Sequence, residues 1–386
     1  MINEFIYKPL EKKVITKYHR FKIKNKDLKE LKSIFKNKII LISGAAGSIG
    51  SQFSKDVFVY NLKPKKIILL DKDENQLTEL NRDLLLFKNF NKIDMEFVCL
   101  DLTLMNLDNF LLSRKIQFYL NFAALKHVRT EENIESTKYM FKTNSISFIP
   151  KKRNKLEKIF SISTDKTVNT SSILGISKYL MEMNLNKFAN KKVIISSARF
   201  VNVAFSNGSI LKYVTDKIIQ KRNFGIPDKV RRYFITHEEA SSLCFKSLLK
   251  RNNRKITVPN PKILNKDHLI IDLVKKIIRE FNYTPKFYKK KNIKRNYTNK
   301  ICNVLLTSLS DGQKSYEELI SEKENVQEDL DKTICRVEFP KYNKNIEKII
   351  NKIINSKNIY QLKVYLMKNF KNYSPPKRFI NISKTI

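Results

Sequence analysis

The feature that most constrains this chain is the passage from residue 38 to residue 50. Lys38-Ile39-Ile40-Leu41-Ile42-Ser43 is a short apolar run that does not alternate with polar residues, and it runs straight into Gly44-Ala45-Ala46-Gly47-Ser48-Ile49-Gly50. A run apolar on both faces suits a strand of a parallel sheet covered by helices on both sides. Ile49 to Leu62 then reads as a helix. Strand, glycine turn and helix together place bare backbone amides and the positive end of a helix dipole at one point, which is a phosphate site. The first glycine permits the tight turn, the second lets a pyrophosphate approach the backbone, and the third lets helix and strand pack closely.

Lys66-Ile67-Ile68-Leu69-Leu70-Asp71 is a second strand of the same kind, and Asp71 stands 21 residues after Gly50. An acid there accepts a ribose 2′-hydroxyl. The reading is a nicotinamide dinucleotide site made by Gly44, Ala46, Gly47, Ser48, Ile49, Gly50 and Asp71. Asp71 favours NAD, because it repels a 2′-phosphate; Lys72 beside it leaves NADP open. Asp101, at the end of a third strand Met95–Leu100, is a candidate for the adenine end, with Leu102 next to it.

Composition sharpens this reading at glycine. Average usage of about 7% would give roughly 27 glycines. The chain has seven, and three of them lie in the loop. Further strands read at Gln117–Phe122, Ile159–Ser163, Val193–Phe200 and Ile256–Val258, with a helix at Glu74–Phe87. Strands alternating with helices predict an α/β fold with a Rossmann-type doubly wound parallel sheet and a smaller C-terminal substrate lobe. The expected divisions are an N-terminal extension over 1–36 with a short helix at Asp27–Phe35, a Rossmann domain over 37–200 that a strand near 255–258 rejoins, a substrate lobe over 201–340, and a C-terminal helix and tail over 341–386.

The net charge of +39 raises nucleic acid as a partner. The surplus is spread along the whole chain, frames no nucleic-acid-binding motif, and goes with abundant Asn and Ile, so it reads as drift in composition. The chain shows no apolar run long enough for a membrane span and no secretory signal at its start. Cys99, Cys244, Cys302 and Cys335 are far apart, with no CxxC pair, which argues against a metal site or a disulfide framework and for a reducing cytoplasm.

The strand Ile159–Ser163 ends in Ser163-Thr164-Asp165-Lys166-Thr167-Val168-Asn169, followed by Leu174-Gly175-Ile176-Ser177-Lys178. An acid and an amine side by side at a strand's carboxyl end suit a proton-removing and proton-donating pair, as an elimination of water requires. These residues resemble the STDKAVNP…MGATK block of the CapD-like polysaccharide biosynthesis family, the nucleotide-sugar 4,6-dehydratases of the extended short-chain dehydrogenase/reductase superfamily. Ala123-Ala124-Leu125-Lys126-His127-Val128, Thr143-Asn144, Ala198 to Ser209, Arg232-Tyr233-Phe234-Ile235-Thr236 and Asp311 to Glu318 resemble further blocks of that family in the same order, over about residues 36–340.

The resemblance implies a UDP-N-acetylhexosamine substrate, UDP-N-acetylglucosamine first among them. Hydride leaves carbon 4 for NAD, Lys166 removes the carbon 5 proton, Asp165 protonates the hydroxyl leaving carbon 6, and hydride returns to carbon 6. The product is a 4-keto-6-deoxy sugar nucleotide for surface polysaccharide. Thr164 would meet the carbon 4 oxygen and Lys178 the nicotinamide ribose. Ala123, Ala124 and Lys126 would touch the cofactor. Lys126, His127, Asn202, Ser209, Arg199 and Arg232 would touch the substrate, the two arginines at the diphosphate. The family also implies a homo-oligomer.

The chain departs from the pattern at Leu174, where the superfamily usually carries a tyrosine, which leaves the carbon 4 base unassigned. Arg129 stands for proline, Val201 for glycine, Ser310 for arginine and Gln313 for glutamate, and Ser145–Leu156 is short for a crossover helix. Two other readings follow: a carbon 4 epimerase, which has no use for the Asp165–Lys166 pair, and a catalytically silent nucleotide-sugar binder.

Overall fold

A computed structural model describes residues 6–15, 19–127, 131–151, 155–188, 193–264, 267–289, 300–309, 314–329, 332–342 and 345–373. Two helices, α1 (Lys8–Val14) and α2 (Asn25–Phe35), precede the sheet. The chain then alternates β1 (Ile39–Ser43), α3 (Ser48–Val59), β2 (Lys66–Asp71), α4 (Glu74–Leu85), β3 (Asp94–Cys99), α5 (Leu107–Ser113), β4 (Phe118–Asn121), α6 (Ile134–Phe141), β5 (Lys158–Thr164), α7 (Ile173–Lys187) and β6 (Ile194–Phe200). These strands lie parallel in the order β3-β2-β1-β4-β5-β6. The order reverses between β1 and β4; in open α/β sheets ligands bind beyond the carboxyl ends of the strands at such a point. The strand expectations hold to within a residue or two.

The second half runs β7 (Asn202–Val203), α8 (Ile210–Ile219), β8 (Phe224–Pro227), β9 (Arg231–Arg232), β10 (Phe234–Ile235), α9 (His237–Ser247), β11 (Lys255–Pro259), α10 (Pro261–Leu264), β12 (His268–Leu269), α11 (Ile270–Glu280), β13 (Thr284–Tyr288), β14 (Ile301–Thr307), β15 (Val326–Glu328), β16 (Ile334–Glu338), α12 (Asn345–Asn355) and α13 (Ile359–Asn369). A separate parallel ladder β13-β14-β8 carries the smaller lobe. Its core is closed by α11, which buries Ile270, Leu273, Val274, Ile277 and Ile278 at helical spacing.

The expected lobe boundaries of 201–340 need correction. β11 rejoins the main sheet parallel to β6, as expected, but β16 and β15 follow it there as antiparallel strands. The helix α9 packs on α3, with Phe245 stacked on Phe53 at 4.2 Å between ring centroids. Besides α1, the lobe's core is drawn from 204–234 and from 270–304, and the chain visits the main sheet between them.

The described part of the N-terminal extension is also integral. Tyr7, Leu10, Val14 and Ile15 belong to the lobe's core, while Leu31, Ile34 and Phe35 belong to the core of the main sheet. Between them, Arg20 grips Glu239 of α9 with its Nε at 2.7 Å and an Nη at 2.6 Å. The C-terminal helix expected within 341–386 is two, α12 and α13. They cover the outer face of α7 in a cluster that includes Leu174, Ile176, Leu180, Ile346, Ile353, Leu362 and Leu366. Where a short crossover was expected, α6 ends in one wider turn, Lys142–Ile146. Among the described residues, no helix is long and apolar enough to cross a membrane.

Candidate functional site

The glycine loop sits at the reversal point, pressed against the end of β4. Gly44 has φ +67°, and a Cβ on it would stand 2.3 Å from the Ala123 nitrogen; a Cβ on Gly50 would stand 2.2 Å from the Gly44 carbonyl oxygen. No side chain caps the start of α3, and its first turn carries no acid. The first amides and the helix dipole are thus left for an anion. These residues fit a dinucleotide: a cradle that a methyl group would fill, at an uncapped helix end. Ser48 differs in part from expectation, because its hydroxyl accepts the Asn207 N–H at 2.9 Å and so ties the loop to the lobe.

At the expected ribose end, Asp71 accepts the Ala46 N–H at 2.9 Å and the Asp73 N–H at 3.1 Å. It shapes the loop while keeping carboxylate lone pairs for a hydroxyl. Asp101 accepts from Thr103 and from the Tyr139 hydroxyl, and Lys72 donates to Tyr139 at 3.0 Å. Buried Leu102 follows it. Tyr139, on α6, was not legible in the sequence as part of this group.

Buried polar ladders hold the strand ends in register. Ser43 donates to Asn121 Oδ1 at 2.7 Å, and Asn121 Nδ2 donates to Ser161 at 3.0 Å, joining β1, β4 and β5. Asn144 accepts the Leu125 N–H and donates to the Leu125 carbonyl, both at 2.9 Å, and so sets the path of the segment 123–127.

The chemical block lies at the end of β5. Thr164 donates to Asp165 Oδ1 at 2.9 Å, and Lys166 Nζ donates to the same oxygen at 3.0 Å. Asp165 is only 2% exposed. A Cβ on Gly175 would stand 2.3 Å from the Lys166 carbonyl oxygen, so the first turn of α7 bears directly on the Lys166 backbone. From the lobe side, Glu317 reaches within 3.6 Å of Lys166 Nζ and 3.7 Å of Arg232 Nη2. Burial pulls the Lys166 ammonium down, but Asp165 and Glu317 outweigh it and hold its pKa above the ordinary lysine value. Burial pushes the Glu317 carboxyl up. Glu317 was not singled out from sequence: nothing in the local pattern separates it from Glu318, yet the first is buried and the second exposed.

Lys178 lies one turn beyond Leu174, buried, with Nζ donating to the Ile162 carbonyl at 3.0 Å. Burial pushes it down to about 7. Leu174 is 3% exposed and belongs to the apolar cluster under α12 and α13. Its N–H and that of Ile173 are taken by Glu131, which burial pushes up to about 7.

Two substrate expectations are corrected. Arg199 does not face the crevice. It is 2% exposed, gripped by both Glu182 oxygens at 2.9 Å and by Glu324 at 2.7 Å. Arg232 directs its two terminal nitrogens at the carbonyls of Arg231, Lys314 and Ser315, so it organises the segment that carries Glu317 instead of offering a fork to a diphosphate. The remaining expected residues gather between the end of β4 and the lobe. Lys126 donates to Ser206 at 3.3 Å, and desolvation of its ammonium pushes it down to about 8. His127 packs on the bare backbone of Gly208. Asn202 donates to the Tyr233 carbonyl, and Ser209 caps α8. The departures at Arg129, Ser310 and Gln313 lie outside the described residues.

A sequence profile described as polysaccharide biosynthesis protein matches residues 40–338. The chain belongs to the polysaccharide biosynthesis protein family. It is a CapD-like member of the extended short-chain dehydrogenase/reductase superfamily. It is 28% identical over 337 residues to the capsular polysaccharide biosynthesis protein CapD of Staphylococcus aureus, covering 83% of this chain and 51% of the relative. It is 30% identical over 322 residues to the probable polysaccharide biosynthesis protein EpsC of Bacillus subtilis (strain 168), covering 77% and 47%. The family member described here thus spans about half the length of these two curated relatives. Its fold is similar to that of Pen from Bacillus thuringiensis, with a TM-score of 0.62 at 18% identity over 87% of this chain and 98% of that one.

Proposed function

We propose that the chain is a nucleotide-sugar 4,6-dehydratase acting on a UDP-N-acetylhexosamine, UDP-N-acetylglucosamine first among them, with NAD as its cofactor and NADP as the alternative. The observation that carries this reading is the pair of buried Asp165 and half-buried Lys166 at the end of β5, two strands from the glycine cradle. An elimination needs one group to take the carbon 5 proton and another to give a proton to the departing hydroxyl. A carboxyl and an amine sharing one proton supply both.

The cradle residues Gly44, Ala46, Gly47, Ser48, Ile49 and Gly50 would hold the pyrophosphate, Asp71 and Asp101 with Leu102 the adenosine end, and Ala123, Ala124 and Lys178 the nicotinamide end. When bound, the nicotinamide supplies a hydride acceptor and then a donor. Lys166 takes the carbon 5 proton, and Asp165, in its acid form, protonates the leaving hydroxyl. Thr164, one hydrogen bond from Asp165, orients the carbon 4 oxygen. Lys126, His127, Asn202 and Ser209 would line the UDP-sugar's side of the crevice. Leu174 exchanges no proton, which weighs against an epimerase that would use this position.

Incubation of the purified protein with UDP-N-acetylglucosamine and NAD, followed by mass spectrometry of the sugar nucleotide, tests this. Loss of one water is expected, reduced by about 10²-fold or more in Asp165→Asn. Epimerisation without water loss, or no turnover on a panel of UDP-sugars, overturns it; the second result favours a binding protein.

A further inference from the structure

Lys166 is flanked by two carboxylates, and the role above uses only one of them. Asp165 Oδ1 lies 3.0 Å from Nζ and Glu317 Oε1 lies 3.6 Å from it. Glu317 is 6% exposed and comes from a segment about 150 residues further along the chain, so its approach is a tertiary arrangement. That segment is strapped down on several sides. Arg232 donates to the Lys314 carbonyl at 2.7 Å and to the Ser315 carbonyl at 3.0 Å, and the Arg231 N–H donates to the Ser315 carbonyl at 3.0 Å. Lys314 Nζ reaches the Val168 carbonyl at 3.2 Å, and Asn169 donates to Glu318. These bonds join the lobe to the turn that carries Asp165 and Lys166.

We propose that Glu317 is a positioning residue that acts through Lys166, holding the ammonium from the lobe side so that the Asp165–Lys166 pair keeps its one working proton. This rests on the dehydratase reading for its meaning in catalysis. The pair works with a single proton: Lys166 ammonium with Asp165 carboxylate at rest, Lys166 amine with Asp165 carboxylic acid at the moment of elimination. Moving the proton between them changes neither the proton count nor the net charge. The amine lone pair then forms a bond to the carbon 5 hydrogen, the released electron pair forms the carbon 5–carbon 6 double bond, and the hydroxyl leaves with the Asp165 proton as water. If the pair loses its proton to solvent, Asp165 has nothing to donate. A second carboxylate beside the ammonium defers that loss to higher pH.

The charged groups facing this centre come from three elements. Asp165 and Lys166 sit on the turn after β5, Arg232 on β9, and Lys314 and Glu317 on the strap. Arg232 and Lys314 favour the charged form of Glu317, whereas burial and Asp165 oppose it. Glu317 takes no proton from substrate; its effect on chemistry passes through the orientation and charge of Lys166.

The test reads Lys166 directly and does not depend on turnover. Lys166 in the full chain is labelled competitively with acetic anhydride across alkaline pH, and the modified peptide is quantified by mass spectrometry. The kcat/KM profile on UDP-N-acetylglucosamine is recorded beside it. Glu317→Gln is expected to move the Lys166 labelling midpoint to lower pH by about 1 unit or more, the shift expected of one opposite charge at this range. The alkaline limb of kcat/KM is expected to move with it, roughly tenfold in rate on that limb. Glu317→Asp, which keeps the charge on a shorter arm, should move both by less, and it serves if the glutamine variant does not fold. An unchanged midpoint, or a uniform fall in kcat/KM with the limb in place, overturns the inference. A moved midpoint in a protein that eliminates no water supports the coupling and counts against the dehydratase reading.

Discussion

Single residues would carry the proposed chemistry, and their surroundings decide what each can do. Asp165 and Lys166 are neighbours in the chain, but one is buried and the other keeps 22% of its side chain accessible. Lys178, pushed down to about 7 by burial, changes charge near neutral pH. Leu174 occupies a helix turn that faces apolar side chains, which explains why the chain tolerates an aliphatic group there. The glycine loop is equally specific. Gly50→Ala places a methyl 2.2 Å from the Gly44 carbonyl oxygen and 3.1 Å from the Ala45 Cα, and both are backbone that cannot swing aside. The loop must therefore shift off its strand. We expect NADH affinity, measured by fluorescence titration, to fall at least about tenfold, with a lower melting temperature. Unchanged affinity would remove the loop from the cofactor site.

At the scale of elements, helices bring charges into contact inside the protein. α7 carries Glu182, α9 carries Glu239, and each is matched by an arginine from a distant segment. On α3, beside Ser241 of α9, Asp56 is 6% exposed and pushed up to about 6 by burial. Its folded value stands above the ordinary carboxyl value of 3.8, so the native state binds its proton more tightly than the unfolded chain does. Its contribution to stability is full below about pH 3.8 and is lost as pH rises through about 6. Asp56→Asn removes this dependence. In urea unfolding, wild type should lose about 2–3 kcal/mol relative to the variant between pH 4 and pH 7. Parallel stability curves for the two proteins would contradict this account.

For the whole molecule, the first two and the last two described helices are structural. α1 completes the lobe's core, α2 seals the main sheet, and α12 with α13 covers α7. Ile353, Leu362 and Leu366 are fully buried. Each such side chain contributes about 1.5–3 kcal/mol, against a total stability of about 5–15 kcal/mol for an ordinary domain. Deleting residues 345–386 should therefore leave a chain that binds a hydrophobic dye and lacks a cooperative melt by circular dichroism. A truncated protein with an unchanged melt would show that the C-terminal helices are accessory.

The local pattern of the chain was enough to read the Rossmann sheet, the glycine turn and the adjacent acid and amine at the end of β5. Each is contiguous: an apolar run followed by a glycine turn, an acid at a strand end, an acid beside an amine. Period and turn chemistry are short-range properties, so the order of residues alone determines them. What folding decided is what depends on distant segments meeting. Arginines with similar neighbours in sequence took different roles, because Arg199 met Glu182 and Glu324 while Arg232 met the carbonyls of the strap. Glu317 joined the centre and Glu318 did not, because the tertiary path of this irregular segment turns Glu317 and Leu319 inward and Glu318 outward. The lobe boundary was misplaced because β15 and β16 carry no mark of the sheet they join; hydrogen-bond pairing across the chain assigns them. The glycine loop was readable because its geometry is local, whereas the charge around Lys166 belongs to groups that only the tertiary structure brings together.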